Sequence, residues 1–339
     1  MSKMMAKGFA KKFAKPLILL AMVVVMSILQ PKAFPTLNNF VSIVYAISLY
    51  GIMVCGAIYP MLLAGVDLSI GSVAAMSGCA TVMTIIKYDY SGKGVFLGIA
   101  FGLLLCIIVG LVHGLIAANF NVPPFLITLA SLNLVYGVAQ LVTNFKTIGC
   151  VGPPIFSVIG VGRLWGLPAP VYILAFCTIC SYLLLRHTVF GRQLYAVGGN
   201  KEAAALSGIN VKLVTVIAYI LSSVCAGIAG IVLASMNQQA VATSAKGYEA
   251  DVLTAIVVGG TSLMGGEGSI QGALFGALLV GLLNNGLRLM SVPSTYHLLI
   301  KGICIIIAVA FDIRSKRSDD KKTEGKPLFK VKTSAGGMN

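Results

Sequence analysis

Apolar runs separated by short polar or glycine-rich breaks fill most of the chain, and one polar stretch, 186–212, stands apart for its length between two strongly apolar blocks. Ahead of it lie apolar runs at 16–30, 40–63, the piece that follows Asp67, 95–118, 125–144 and 170–185. Behind it lie 211–235, a short piece at 252–258, a run ending at Leu289, and 298–311. A helix needs about 20 apolar residues to cross a bilayer, so 16–30 reaches into the interface and 252–258 ends inside the protein. The pattern predicts an all-α polytopic membrane protein of about ten transmembrane helices. It divides as a basic N-terminus at 1–15, a membrane domain at 16–312 with its central loop at 187–211, and a basic, disordered tail at 313–339.

Within the central loop the residues predict a short helix. Asn200 is a good N-cap, Glu202 falls in the first turn where the helix dipole favours a negative charge, and Gly208 suits the left-handed position past the end. Lys201 and Ala203 to Ala205 complete it, and the alanines leave room for another protein's groove to approach the backbone. The two readings are a docking peg and an ordinary capped loop helix.

Composition narrows the class. With 58% apolar and 10% charged residues among 339, an ordinary soluble surface is excluded. The net charge of +15 collects at Lys3, Lys7, Lys11, Lys12 and Lys15, in the central loop and after Asp312, which marks both termini and that loop as cytoplasmic. The charges sit in tails and a loop that flank apolar spans, so nucleic acid is not the partner they imply. The basic N-terminus lacks a small-residue cleavage site before its apolar run, which reads as a retained first helix. Six of the eight cysteines sit inside apolar runs as small hydrophobes, and the one CxxC, Cys177 and Cys180, has no second pair to make a zinc site.

Candidate chemistry is sparse. Asp67 interrupts an apolar region and is followed by Ser69, Gly71 and Ser72, so it either caps a helix start or meets a substrate in a polar cavity. Thr128, Ser131, Asn133, Gln140 and Asn144 give one span enough polarity to line a wet path, the alternative being a helix buried among its neighbours. Glu249 and Asp251 open the short piece 252–258. Gly98 with Gly102, Gly110 with Gly114, and Gly268, Gly272 and Gly276 have the spacing that lets helices approach closely, and His113 reads as an interhelical hydrogen-bonding residue. A turn-rich stretch, 145–166, holds a short interfacial piece near 155–161 and an interface anchor in Trp165. The glycines at 259, 260, 265, 266 and 268 belong to tight turns, since no GxxxxGK motif follows a strand anywhere.

A shift of 170 residues aligns Val54, Cys55 and Ile58 with Val224, Cys225 and Ile228, and Val122 and Pro123 with Val292 and Pro293. Five spans in each half would make the repeat inverted in the membrane, a 5+5 plan common among transporters.

Three motifs carry a resemblance. GVDLSIGS, the string FGRQLYAVGGN followed by EAAALSGI, and YEAD with its following glycine pairs resemble permease subunits of ATP-binding-cassette importers of monosaccharides, the ribose, galactose and xylose branch. Glu202, Ala203, Ala204 and Gly208 match the EAA loop, although Ala218, Tyr219 and Ile220 stand where many importers have Leu-Pro, and DVLTA stands where this branch more often has DAIAA. The resemblance implies a cytoplasmic ATPase subunit that uses ATP and Mg and engages the loop, an extracytoplasmic sugar-binding protein, and a second permease subunit in a homodimer or heterodimer. It implies no catalytic residue, metal or cofactor in this chain, and a location in a bacterial-type cell membrane. The competing classes are a secondary transporter or channel, which needs a coupling carboxylate pair deep in a span, and a membrane enzyme. For the latter, no serine, cysteine or carboxylate pairs by motif with His113, His187 or His297.

Overall fold

The computed structural model describes residues 17–306, apart from 18, 121, 152, 294, 295, 297, 298, 301, 304 and 305. The expected tails at 1–15 and 313–339, and much of the expected span at 298–311, lie outside the described residues. The helices are α1 (Leu19–Leu29), α2 (Leu37–Leu62), α3 (Ile70–Lys87), α4 (Gly92–Asn119), α5 (Pro124–Val142), α6 (Pro154–Val161), α7 (Ala169–His187), α8 (Val189–Gly199), α9 (Lys201–Leu206), α10 (Val211–Asn237), α11 (Tyr248–Val258) and α12 (Ile270–Leu289). Among the described residues seven are long and apolar enough to cross a membrane, namely α2, α3, α4, α5, α7, α10 and α12. The shortfall against about ten spans falls on α1 and α11, whose 11 residues each rise only about 16 Å, and on the run at 298–311, most of which lies outside the described residues.

Side-chain caps set many of the boundaries. Thr36 Oγ1 accepts from the Asn39 amide at 3.2 Å, Ser91 Oγ from Gly94 at 3.1 Å and Ser269 Oγ from Gly272 at 3.2 Å, each relieving an orphan donor in a first turn. Pro124 and Pro154 stand at helix starts, where the missing N–H costs nothing. Two small antiparallel pairs tie loops at one end of the bundle: β1 (Ile148–Gly149) with β4 (Gln239–Ala240), and β2 (Arg163–Leu164) with β3 (Leu167–Pro168) around a turn at Trp165 and Gly166.

α10 is the centre of the bundle, packed against α2, α3 and α4. Small residues permit these contacts. A Cβ on Gly110 would fall on the Cα of Ile220, and one on Gly114 on the Cα of Val216, so α4 meets α10 backbone to backbone. Gly98 and Gly102 press on Thr81 and Ser77 of α3 in the same way, and Gly272 and Gly276 on Gly259 and Ala255. Gly268 differs from the expected stripe on one span: it precedes α12 and packs on Thr261. His113 on α4 reaches Ser131 on α5, with Nε2 and Oγ 2.7 Å apart, as an interhelical polar residue should.

The second distinctive feature is unwound backbone inside the bundle. α2 ends at Leu62, and residues 65–69 run without helix before α3 begins. There Asp67 Oδ2 accepts a hydrogen bond of 2.7 Å from Ser222 Oγ, near the midpoint of α10, so α3 starts deep in the bundle. α10 likewise ends at Asn237, and an irregular stretch leads inward to α11, whose start lies beside that of α3: a Cβ on Gly71 would strike the Glu249 carboxylate and the carbonyl of Ala245. Backbone of this kind survives at membrane depth only where protein satisfies it.

Candidate functional site

Three local arrangements bear on function, and the first is a platform at one end of the bundle. The Thr188 hydroxyl caps α8 by accepting from the Gly191 amide at 3.2 Å, and Leu194 and Val197 are buried on its inner face. A Cβ on Gly198 would land on the carbonyl oxygen of Leu62 and the amide nitrogen of Gly266, the two atoms that themselves share a 2.9 Å hydrogen bond. The Tyr195 hydroxyl donates to the Gly268 carbonyl at 2.9 Å, and burial pushes this phenol up from its ordinary pKa. α8 therefore lies across the root of the 65–69 segment and across the turns that leave α11.

α9 follows at once. Asn200 Oδ1 accepts from the Ala203 amide at 2.8 Å, Glu202 is in the first turn, and Gly208 takes φ +80° just past the end. The sequence places each of these three residues correctly on the helix, because every determinant is local. Lys201, Glu202, Ala203 and Ala205 are exposed, whereas Ala204 turns inward and is buried, so two of the three alanines face outward. Leu206 is 91% exposed, a large apolar side chain on a polar segment outside the spans.

Sequence reasoning missed Leu206, whose exposure depends on the helix phase. It also missed α8, because Gly191, Gly198 and Gly199 interrupt an apolar face made by Phe190, Leu194 and Val197.

The second arrangement is the pair of helix starts in the bundle centre. Asp67 Oδ1 accepts from the Ser69 amide at 3.0 Å and from Ser69 Oγ at 2.6 Å, while Oδ2 takes Ser222, so this carboxylate fixes the turn into α3 and fastens it to α10. Glu249, half-buried, accepts from the Gly247 amide at 3.1 Å and lies against Gly71, where the hydroxyl of Tyr136 also converges. Asp251 is buried in the first turn of α11. The helix starts explain why carboxylates are tolerated here, since the dipoles favour negative charge at N-termini.

The third arrangement is α5, whose polar positions do not share one face. Thr128 is buried with its hydroxyl donating to the Val66 carbonyl at 3.0 Å, Ser131 pairs with His113, and Asn133 and Asn144 are exposed. The single wet lining expected of this helix is thus two surfaces: Thr128 secures the 65–69 segment, and the asparagines point away from it. Of the candidate path residues, Asp67, Ser69, Thr128 and Asp251 are buried, Ser131 and Glu249 half-buried, and Asn133 exposed. Among the described residues no group of His, Cys, Asp and Glu is placed to hold a metal ion.

Apolar membrane-crossing helices that enclose unwound, hydrogen-bonded backbone form the build of a membrane transport subunit. The chain belongs to the family described as branched-chain amino acid transport system / permease component, whose model matches residues 39–309. It is 38% identical over 297 residues to the ribose import permease protein RbsC of Escherichia coli strain K12, covering 87% of this chain and 91% of the relative. To the ribose import permease protein RbsC of Bacillus subtilis strain 168 it is 36% identical over 306 residues, 90% of this chain and 94% of the relative. To the L-arabinose transport system permease protein AraH of Escherichia coli strain K12 it is 33% identical over 279 residues, 82% and 84% respectively. No solved structure matches the chain. It is a multi-pass protein of the bacterial-type cell membrane, and its relatives are permease components rather than enzymes.

Proposed function

We propose that the chain is the path-forming subunit of an ATP-binding-cassette importer for a monosaccharide. It pairs with a second permease subunit, takes its power from a separate cytoplasmic ATPase seated on α8 and α9, and receives sugar from an extracytoplasmic binding protein at the opposite end. The observation that carries this reading is α9: a capped helix displayed outside the spans, with Glu202 in its first turn and an exposed Leu206, has the form of a docking element. The similarity to ribose and arabinose permeases supports the sugar class.

In this reading the platform and both termini face the cytoplasm, and the short α1 and α11, with the run at 298–311, make up the remaining three of about ten spans. The order α2, unwound segment, α3 is repeated as α10, unwound segment, α11, and Gly56 meets Cys225 where α2 crosses α10. Residues 55 and 225, aligned by the 170-residue shift, thus lie close to the crossing, which supports a 5+5 inverted repeat.

Closure of the ATPase pair around ATP and Mg moves α9. The motion passes through α8 to the Leu62–Gly266 junction, from which both unwound segments and the helices behind them can shift. ATP and Mg belong to the partner, and this chain supplies a route and a lever.

The test is co-purification with the candidate ATPase, comparing wild type with Glu202→Lys, Gly208→Val and Leu206→Asp. Loss of the ATPase from variants that melt at the wild-type temperature is the expected result. Retention in all three would overturn the docking role and with it the ATP-driven reading.

A further inference from the structure

A chamber of about 560 Å³ opens at the end of the bundle opposite α9, within the roughly 300–1,000 Å³ typical of small-molecule sites. Its lining comes from α2, α10, α11, α12 and the loop that carries β2. Tyr45, Tyr50 and Tyr248 supply aromatic faces, the last two with ring centroids 5.0 Å apart and tilted by 52°. Arg163 and Arg288 stand exposed at the rim. Asn285 is 5% exposed; its Nδ2 donates to Asn39 Oδ1 at 2.9 Å, while its Oδ1 has no partner among the described residues. A buried amide oxygen without a partner costs stability unless something donates to it, and this one belongs to a residue that lines the chamber.

We propose that this chamber is the protomer's own sugar-binding site, the station a monosaccharide occupies between release from the binding protein and passage inward. The inference rests on the import reading above and adds to it the place and the chemistry of recognition. Aromatic faces suit the C–H face of a sugar ring, and amides and guanidinium groups suit its ring of hydroxyls. The same lining argues against an amino acid, the cargo that the family's description mentions. An ammonium group needs a carboxylate or a cluster of acceptors when desolvated, and among the described residues the lining holds two arginines and no aspartate or glutamate. Tyr248 is the first residue of α11, so a bound sugar touches the helix whose far end leads into the turns on which α8 packs.

The test uses the full complex in proteoliposomes with Ser244→Cys, a substitution at a half-buried position in the chamber wall, and a membrane-impermeant methanethiosulfonate reagent. The unsubstituted chain reports labelling of the native cysteines. D-ribose, L-arabinose, D-allose and L-leucine are added in turn at millimolar concentration, and import of each is measured in parallel. The expected result is that an imported sugar slows modification severalfold while L-leucine does not. With Asn285→Leu added, the sugar concentration that half-protects should rise roughly tenfold, the worth of a lost hydrogen bond.

If a sugar is imported and the introduced thiol is not protected, or L-leucine protects as well, the chamber assignment is overturned while the import reading stands. If none of the sugars is imported, the import reading fails and the chamber falls with it.

Discussion

Asp67 Oδ2 and Ser222 Oγ lie 2.7 Å apart, joining the unwound segment ahead of α3 to the middle of α10. The other oxygen of the same carboxylate holds the amide and hydroxyl of Ser69, so one side chain satisfies three donors in a buried site. Asp67→Ala strands those donors and should destabilise the protein by about 2–4 kcal/mol, because unmade buried hydrogen bonds cost more than made ones contribute. Asp67→Asn keeps an oxygen for Ser69 and offers Nδ2 to the Ser222 hydroxyl, and should melt close to wild type. Thermal unfolding in nanodiscs separates the two. Equal damage from both would mean that the charge itself is required, as in a role on the path.

A neighbouring pair of glycines tests the lever. A Cβ at Gly198 strikes the Leu62 carbonyl and the Gly266 amide, whereas a Cβ at Gly199 meets nothing within 4 Å among the described residues. Gly198→Ala should therefore leave the ATPase bound but cut the sugar imported per ATP hydrolysed several-fold, and Gly199→Ala should do neither. Coupling ratios in reconstituted complexes are the measurement, and matching behaviour of the two variants would remove α8 from the transmission route.

Helix crossings make a third prediction. Gly276 faces the Ala255 carbonyl so closely that any side chain must push α11 from α12, while a Cβ on Gly137 of α5 meets nothing within 4 Å among the described residues. Gly276→Val should abolish stable accumulation in the membrane. Gly137→Ala should leave the protomer's melting temperature unchanged or slightly raised, since alanine favours a helix by about 1 kcal/mol over glycine.

How far these features could be read from the sequence follows from how local they are. The start, first turn and end of α9 were legible because Asn200, Glu202 and Gly208 act on their own neighbours. Asp67, Glu249 and Asp251 were legible as helix-start carboxylates because charge in an apolar run has few other uses. The two faces of α5 were not, since Thr128 is drawn inward by the Val66 carbonyl, 62 residues away, and no periodicity records that partner. The chamber is the extreme case: Tyr45 and Arg288 share a wall although most of the chain separates them. Each alone reads as an ordinary residue near the end of a span.

The cap of α9 yields the last prediction. Six residues are too few to form a stable isolated helix, because nucleation is unfavourable and most of its hydrogen-bonding groups lie within a turn of an end. The helix is therefore held by its boundary residues: the Asn200 side chain on the Ala203 amide, the Gly208 turn, and the Ile209 amide returning to the Ala204 carbonyl at 3.1 Å. If the ATPase recognises the folded helix, its affinity should follow cap quality. Asn200→Ala removes about 1 kcal/mol of capping and should weaken association roughly fivefold, while Asn200→Asp, an equally good cap, should keep it. Titrating purified ATPase into the detergent-solubilised permease measures both. If Asn200→Ala binds as tightly as wild type, the partner must read side chains that do not depend on the helix, and Leu206 then becomes the residue to examine.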